Sequence, residues 1–91
     1  MNDPQVPGFS GIASGAEKAA EDAVQKVVDW YDVELRAERG APTPDPARVA
    51  ALKDGRRAAL ADRAQLLTAD PREAAELTVA YADRLRSLAG S

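Results

Sequence analysis

Apolar residues recur along this chain at spacings of three and four, in three stretches, the first two separated by Gly40, Pro42 and Pro44 and the last two by Asp70 and Pro71. In the first stretch Ala16, Ala20, Ala23, Val24, Val27, Val28, Tyr31 and Leu35 spread over about half the circumference of a helix, and Trp30 widens that face further. In the second, Val49, Leu52, Leu60, Ala64 and Leu67 share a stripe with Arg56 and Arg63. The third is the cleanest, with Ala74, Leu77, Thr78, Tyr81, Leu85 and Leu88 on one side. Period-two alternation is not sustained anywhere and β-branched residues are few, so no strand is expected.

Helix boundaries follow from capping chemistry. Ser14 and Glu17 have the spacing of a capping box, which predicts a first helix from about residue 15. It is expected to run to Arg39, where Gly40 offers a left-handed residue and Pro42 and Pro44 block continuation. Asp45 before Pro46 predicts a helix over 46–67, and Asp70 before Pro71, with Glu73 completing a capping box, predicts another over 71–88. Pro4, Pro7, Gly8 and Gly11 interrupt the first thirteen residues, which are expected to form a flexible, disordered N-terminal arm (1–13) ahead of a three-helix bundle (14–91). Short connections force neighbouring helices antiparallel, so the expected fold is all-α, an up-down-up antiparallel three-helix bundle.

Composition narrows the chemistry. The 91 residues contain neither cysteine nor histidine. That removes thiolate nucleophiles, disulfides, the commonest neutral-pH acid-base group and the commonest metal ligand. The serines and threonines therefore lack a histidine base, and no Gly-x-Ser-x-Gly elbow or phosphate-loop spacing is present. Carboxylate pairs at helical spacing, Glu17 with Glu21 and Glu34 with Glu38, are first of all solvated acidic faces. A carboxylate-based metal or small-ligand site is only a minor alternative, so neither catalysis nor a cofactor is expected. No apolar run approaches the roughly twenty residues needed to span a bilayer. The first residues lack the charged start and apolar stretch of a secretory signal, and the absence of cysteine is compatible with a reducing compartment, so a cytoplasmic location is expected. Trp30 is followed by Tyr31 and Asp32 rather than by the glycine of a Trp-x-Gly turn, which separates the chain from the small secreted helical-hairpin proteins.

Charge is unevenly placed within a net of −3: residues 1–45 hold nine acids and four bases, and residues 46–91 hold six acids and eight bases. Arg56 and Arg63, within an apolar stripe, admit three explanations: methylenes laid along the core with the guanidinium at its edge, pairing with helix-one carboxylates such as Glu34 or Asp22, or an intermolecular contact. Many expected core positions are alanine, which leaves the core thin and favours support from a second subunit. The expected function is thus a non-catalytic protein–protein interaction module, an adaptor, inhibitor or assembly factor. It is expected to form a homodimer and to bind a further protein, with Trp30, Tyr31, Arg56 and Arg63 as interface residues. The alternative is a small DNA- or RNA-binding regulator that uses the second and third helices, where Arg48, Lys53, Arg56, Arg57, Arg63 and Arg72 are interrupted by Asp54, Asp62, Asp70, Glu73 and Glu76.

Overall fold

The computed structural model describes the backbone over residues 5–90 and the side chains over residues 15–90. The chain folds as an all-α three-helix bundle: α1 (Gln5–Arg39), α2 (Pro46–Gln65) and α3 (Pro71–Ala89). Arg48, Arg56 and Arg63 meet Glu34, Asp32 and Gln25 in turn, so α2 runs antiparallel to α1. The α3 end near Ala74 packs with Ala20 and the end near Leu88 lies beside Trp30, so α3 returns parallel to α1.

The second and third helices begin as their sequences require. The Asp45 carboxylate accepts from the backbone N–H of Ala47 at 3.0 Å and of Arg48 at 3.4 Å, and Pro46 takes the position where its missing donor is harmless. At Asp70 both halves of the capping box form: Glu73 N–H donates to the Asp70 carboxylate at 2.8 Å, and Asp70 N–H donates to the Glu73 carboxylate at 3.0 Å. The α2 helix closes two residues earlier than expected, passing into a turn through Leu66, Leu67 and Thr68.

Helix one differs more. It begins at Gln5, so Ser14 is an interior position rather than an N-cap, and the residues expected to form an arm continue the helix from residue 5. Met1–Pro4, the start of that arm, lie outside the described residues. The physical reason is the place of the proline. Pro7 is the third residue of α1, within the first turn, where no intrahelical hydrogen bond is forfeited. Gly8 and Gly11 weaken a helix by about 1 kcal/mol each without blocking it. At the other end Gly40 does not adopt the expected positive φ. Its N–H still bonds the Arg36 carbonyl at 3.1 Å, and the helix stops at the prolines beyond.

The core is made of Val24, Val27, Val28, Tyr31 and Leu35 from α1 with Leu52 and Ala59 from α2 and Tyr81 from α3. A smaller cluster of Ala20, Leu66 and Ala74 closes the bundle at the α2–α3 turn. Both shorter helices pack on α1 and approach it more closely than they approach each other. Tyr81 bridges them, its hydroxyl donating to the Asp62 carboxylate. With 35 residues against 20 and 19, α1 is longer than its partners by about four turns, in keeping with a molecule 63 Å long and 19 Å by 17 Å across.

Candidate interaction site

The residues that stitch α2 to α1 build a groove along their seam. Arg56 Nε donates to Asp32 at 2.6 Å, with the two side chains 40 % and 38 % exposed. Arg63 donates to the side-chain oxygen of Gln25. Both arginines therefore sit at the core edge and are engaged by α1, although the α1 partners are Asp32 and Gln25 rather than Glu34 or Asp22. Glu34 instead accepts from Arg48 at 2.9 Å, and Asp22 faces Lys18 one turn earlier on its own helix. Exposed pairs of this kind contribute about 0–1 kcal/mol each, so their main effect is to fix the position of the guanidinium groups.

Above Asp32 the seam widens into a concavity of about 590 Å³ with Leu35 and Leu60 among its lining residues. Five cationic side chains surround it, Arg36 and Arg39 from α1 and Lys53, Arg56 and Arg57 from α2, against the single carboxylate of Asp32. Arg57 also reaches Asp54 at 2.9 Å. Arg36, Arg39 and Lys53 have no carboxylate partner among the described residues. The last turn of α1 explains part of this, because cations there complement the helix dipole by about 0.3–1 kcal/mol each. It does not explain Lys53 and Arg57, which stand within α2. Like charges at helical spacing repel, so the cluster is an electrostatic cost that an anion in the groove would relieve.

The aromatic residues divide. Tyr31 is buried with its ring against the α2 backbone at Gly55, where a side chain of any size would collide with it. Trp30 is half-buried, meets the Tyr31 ring edge-on at 5.3 Å, and lines a second cleft of about 450 Å³ together with Glu34, Arg48, Leu52 and Leu88. Of the four residues expected at an interface, Arg56 lies in the groove and Trp30 in this cleft, while Tyr31 and Arg63 hold α1 and α2 together. Arg36 and Arg39 were not singled out by sequence reasoning; their signal was an i, i+3 basic pair on the turn that faces Lys53 and Arg56 in an antiparallel hairpin.

On α3, burial and the Asp62 carboxylate push the Tyr81 phenol up to about 12, and the Arg84 guanidinium lies 4.8 Å from its ring centroid. Among the described residues no group of three or more acidic side chains could hold a metal ion, and no helix is long and apolar enough to cross a membrane. Comparison with known proteins gives no similarity to report: no family model, no curated protein and no solved structure matches the chain.

Proposed function

We propose that this protein is a non-catalytic interaction module that binds an acidic protein segment carrying an apolar residue in the α1–α2 groove. The observation that carries it is the concentration of five cationic side chains around a concavity with two leucines in its lining, in a chain whose net charge is −3. A carboxylate-bearing helix has both features such a groove selects: acids for Arg36, Arg39, Lys53 and Arg57, and an apolar residue for Leu35 and Leu60. Asp32 positions Arg56 in advance, which lowers the ordering cost on binding. The cleft that holds Trp30 opens on the other side of α1, towards α3, and is a contact separate from this groove; the cytoplasm is the compartment we propose for the complex. A cysteine- and histidine-free chain suits adaptor, inhibitor or assembly work better than catalysis.

The test is fluorescence anisotropy with a synthetic amphipathic peptide bearing glutamate on one face and leucine on the other. Binding is expected to weaken at least tenfold in R36E/R39E and to fall with added salt. Equal binding by that variant and the parent chain would overturn the assignment. The same cations also favour a second reading, in which the groove takes a nucleic-acid backbone. A gel shift with duplex DNA and single-stranded RNA at low salt discriminates them: retention of either with no peptide binding would replace the protein partner by a nucleic acid.

A further inference from the structure

The groove does not end at its basic mouth. Along α1 the α2-facing edge continues downward through Asp32 and Gln25 to Glu21 and Glu17, which share that helical face with Arg36 and Arg39 at 100° per residue. On α2 the corresponding edge runs from Lys53 through Arg56, Leu60 and Arg63 to Leu67, where the helix has passed into its closing turn. Leu67 is 83 % exposed, the most exposed large apolar residue among the described ones. Glu17 and Glu21 have no cationic partner among the described residues, just as Arg36, Arg39 and Lys53 have no anionic one. One seam thus carries unsatisfied cations around a leucine-lined concavity at one end and unsatisfied carboxylates with a protruding leucine at the other. Midpoint to midpoint, the two ends lie about 28 Å apart along α1.

We infer that the occupant of the groove is a second copy of this chain, packed seam to seam about a two-fold axis midway between Gln25 and Asp32 on α1, level with Leu60 of α2. This rests on the groove being a protein-docking site and names its partner. In an antiparallel pair the acidic end of each copy faces the basic end of the other, and Leu67 of one enters the concavity beside Leu35 and Leu60 of its partner. The contact is reciprocal, so it closes at two subunits rather than growing into a filament. Each groove is incomplete alone, because its anionic and apolar occupants come from the other subunit. A chain this size buries a small core, which is the setting in which a second subunit adds burial.

Light scattering after size exclusion, over a range of concentrations, reads the result from the full chain of 9.6 kDa. The parent is expected to run at twice that mass at low salt and to dissociate as salt rises. Both R36E/R39E and E17R/E21R are expected to be monomeric, and Leu67→Asp to weaken self-association at least tenfold. Circular dichroism on each variant separates loss of pairing from loss of fold. The decisive arm mixes the two charge-reversed variants, which together restore both acid–base contacts and are expected to form a heterodimer that neither forms with itself. A dimer that persists in all three variants, or a mixture that stays monomeric while the parent dimerises, overturns the inference. A monomeric parent that still binds the acidic peptide overturns it too, and leaves the groove to a different protein. A monomer that binds no peptide removes both the inference and the reading beneath it.

Discussion

Gly55 is the residue whose replacement reports most directly on how α1 and α2 fit together. A glycine inside α2 ordinarily weakens a helix, and exchanging it for alanine gains about 1 kcal/mol at an open site. Here the site is closed. A methyl group on Gly55 would lie 2.7 Å from Tyr31 Cε1 and closer still to Cζ and Oη, inside the distance that real Cβ atoms keep. Tyr31 is only 9 % exposed and has two rotatable bonds, so its ring must shift as a rigid plate against Leu52 and Val28. Overpacking of this kind costs about 1–3 kcal/mol. Set against the helical gain, Gly55→Ala is expected to destabilise by up to about 2 kcal/mol, lowering the melting temperature by about 4–8 °C for each kcal/mol lost. Urea unfolding followed by circular dichroism and by Trp30 fluorescence measures it, since Trp30 sits edge-on to the ring that must move. The control is the same substitution in a Tyr31→Leu background, where the collision is gone and alanine should stabilise by about 1 kcal/mol. If Gly55→Ala stabilises both backgrounds equally, the close approach of Tyr31 to α2 is wrong.

Three further substitutions follow from individual contacts. Glu38 accepts from the Asp45 backbone N–H at 2.8 Å and forms an ion pair with Arg48 at 3.3 Å, tying the α1–α2 connection to the end of α1. Glu38→Ala is therefore expected to cost about 1–2 kcal/mol in urea unfolding, and hydrogen exchange should speed first in residues 45–48. Asp70→Ala removes the capping box and is expected to cost about 1 kcal/mol, with Asp70→Ser recovering most of it. Because the Tyr81 phenol is raised from 10 to about 12 in the folded state, its neutral form is favoured there. That stability is fully present below pH 10 and is lost as the pH climbs towards about 12. Tyr81→Phe should flatten the alkaline limb of an unfolding-midpoint profile, and an unchanged limb would show that the phenol is not held by Asp62.

Much of the fold was legible because capping is local. Asp45–Pro46 and Asp70–Pro71 fix two helix starts through side-chain oxygens two and three residues from the amides they satisfy, and no distant contact can move them. The start of α1 was misjudged for the same local reason: a proline reads as a helix breaker unless its distance from the helix start is known, and Pro7 falls within the first turn. The arginines in the α2 stripe were recognisable as anomalous, but their partners depend on register. Moving α2 by one turn on α1 would have set Arg56 against Val28 or Arg36 instead of Asp32. The groove was harder to foresee because its cations come from two helices, and Arg36 and Arg39 look ordinary until α2 is laid beside them. Gly55 was not visible at all, since a helical glycine declares a close approach only when the opposing side chain is known.

The two seams of the bundle differ in kind. Arg48, Arg56 and Arg63 add polar contacts to the packing of Leu52 and Ala59 on α1, whereas α3 meets α1 through apolar contacts, Ala20, Val27 and Trp30 against Ala74, Leu77, Tyr81 and Leu88. Salt screens the half-exposed pairs and leaves the apolar seam intact or strengthens it. Rising ionic strength should therefore loosen α2 before α3, and the α1–α2 seam is also where the unpaired cations gather. An anionic partner in the groove would act in the opposite sense, adding charge-assisted contacts to both walls and holding α2 against α1. The same surface would then serve recognition and stability together. Hydrogen exchange at two salt concentrations, with and without the acidic peptide, reads this directly: protection of α2 amides should fall with salt and rise with peptide, while those of α3 change little. Equal loss of protection in both helices would mean that the polar contacts do not set the strength of the α1–α2 seam.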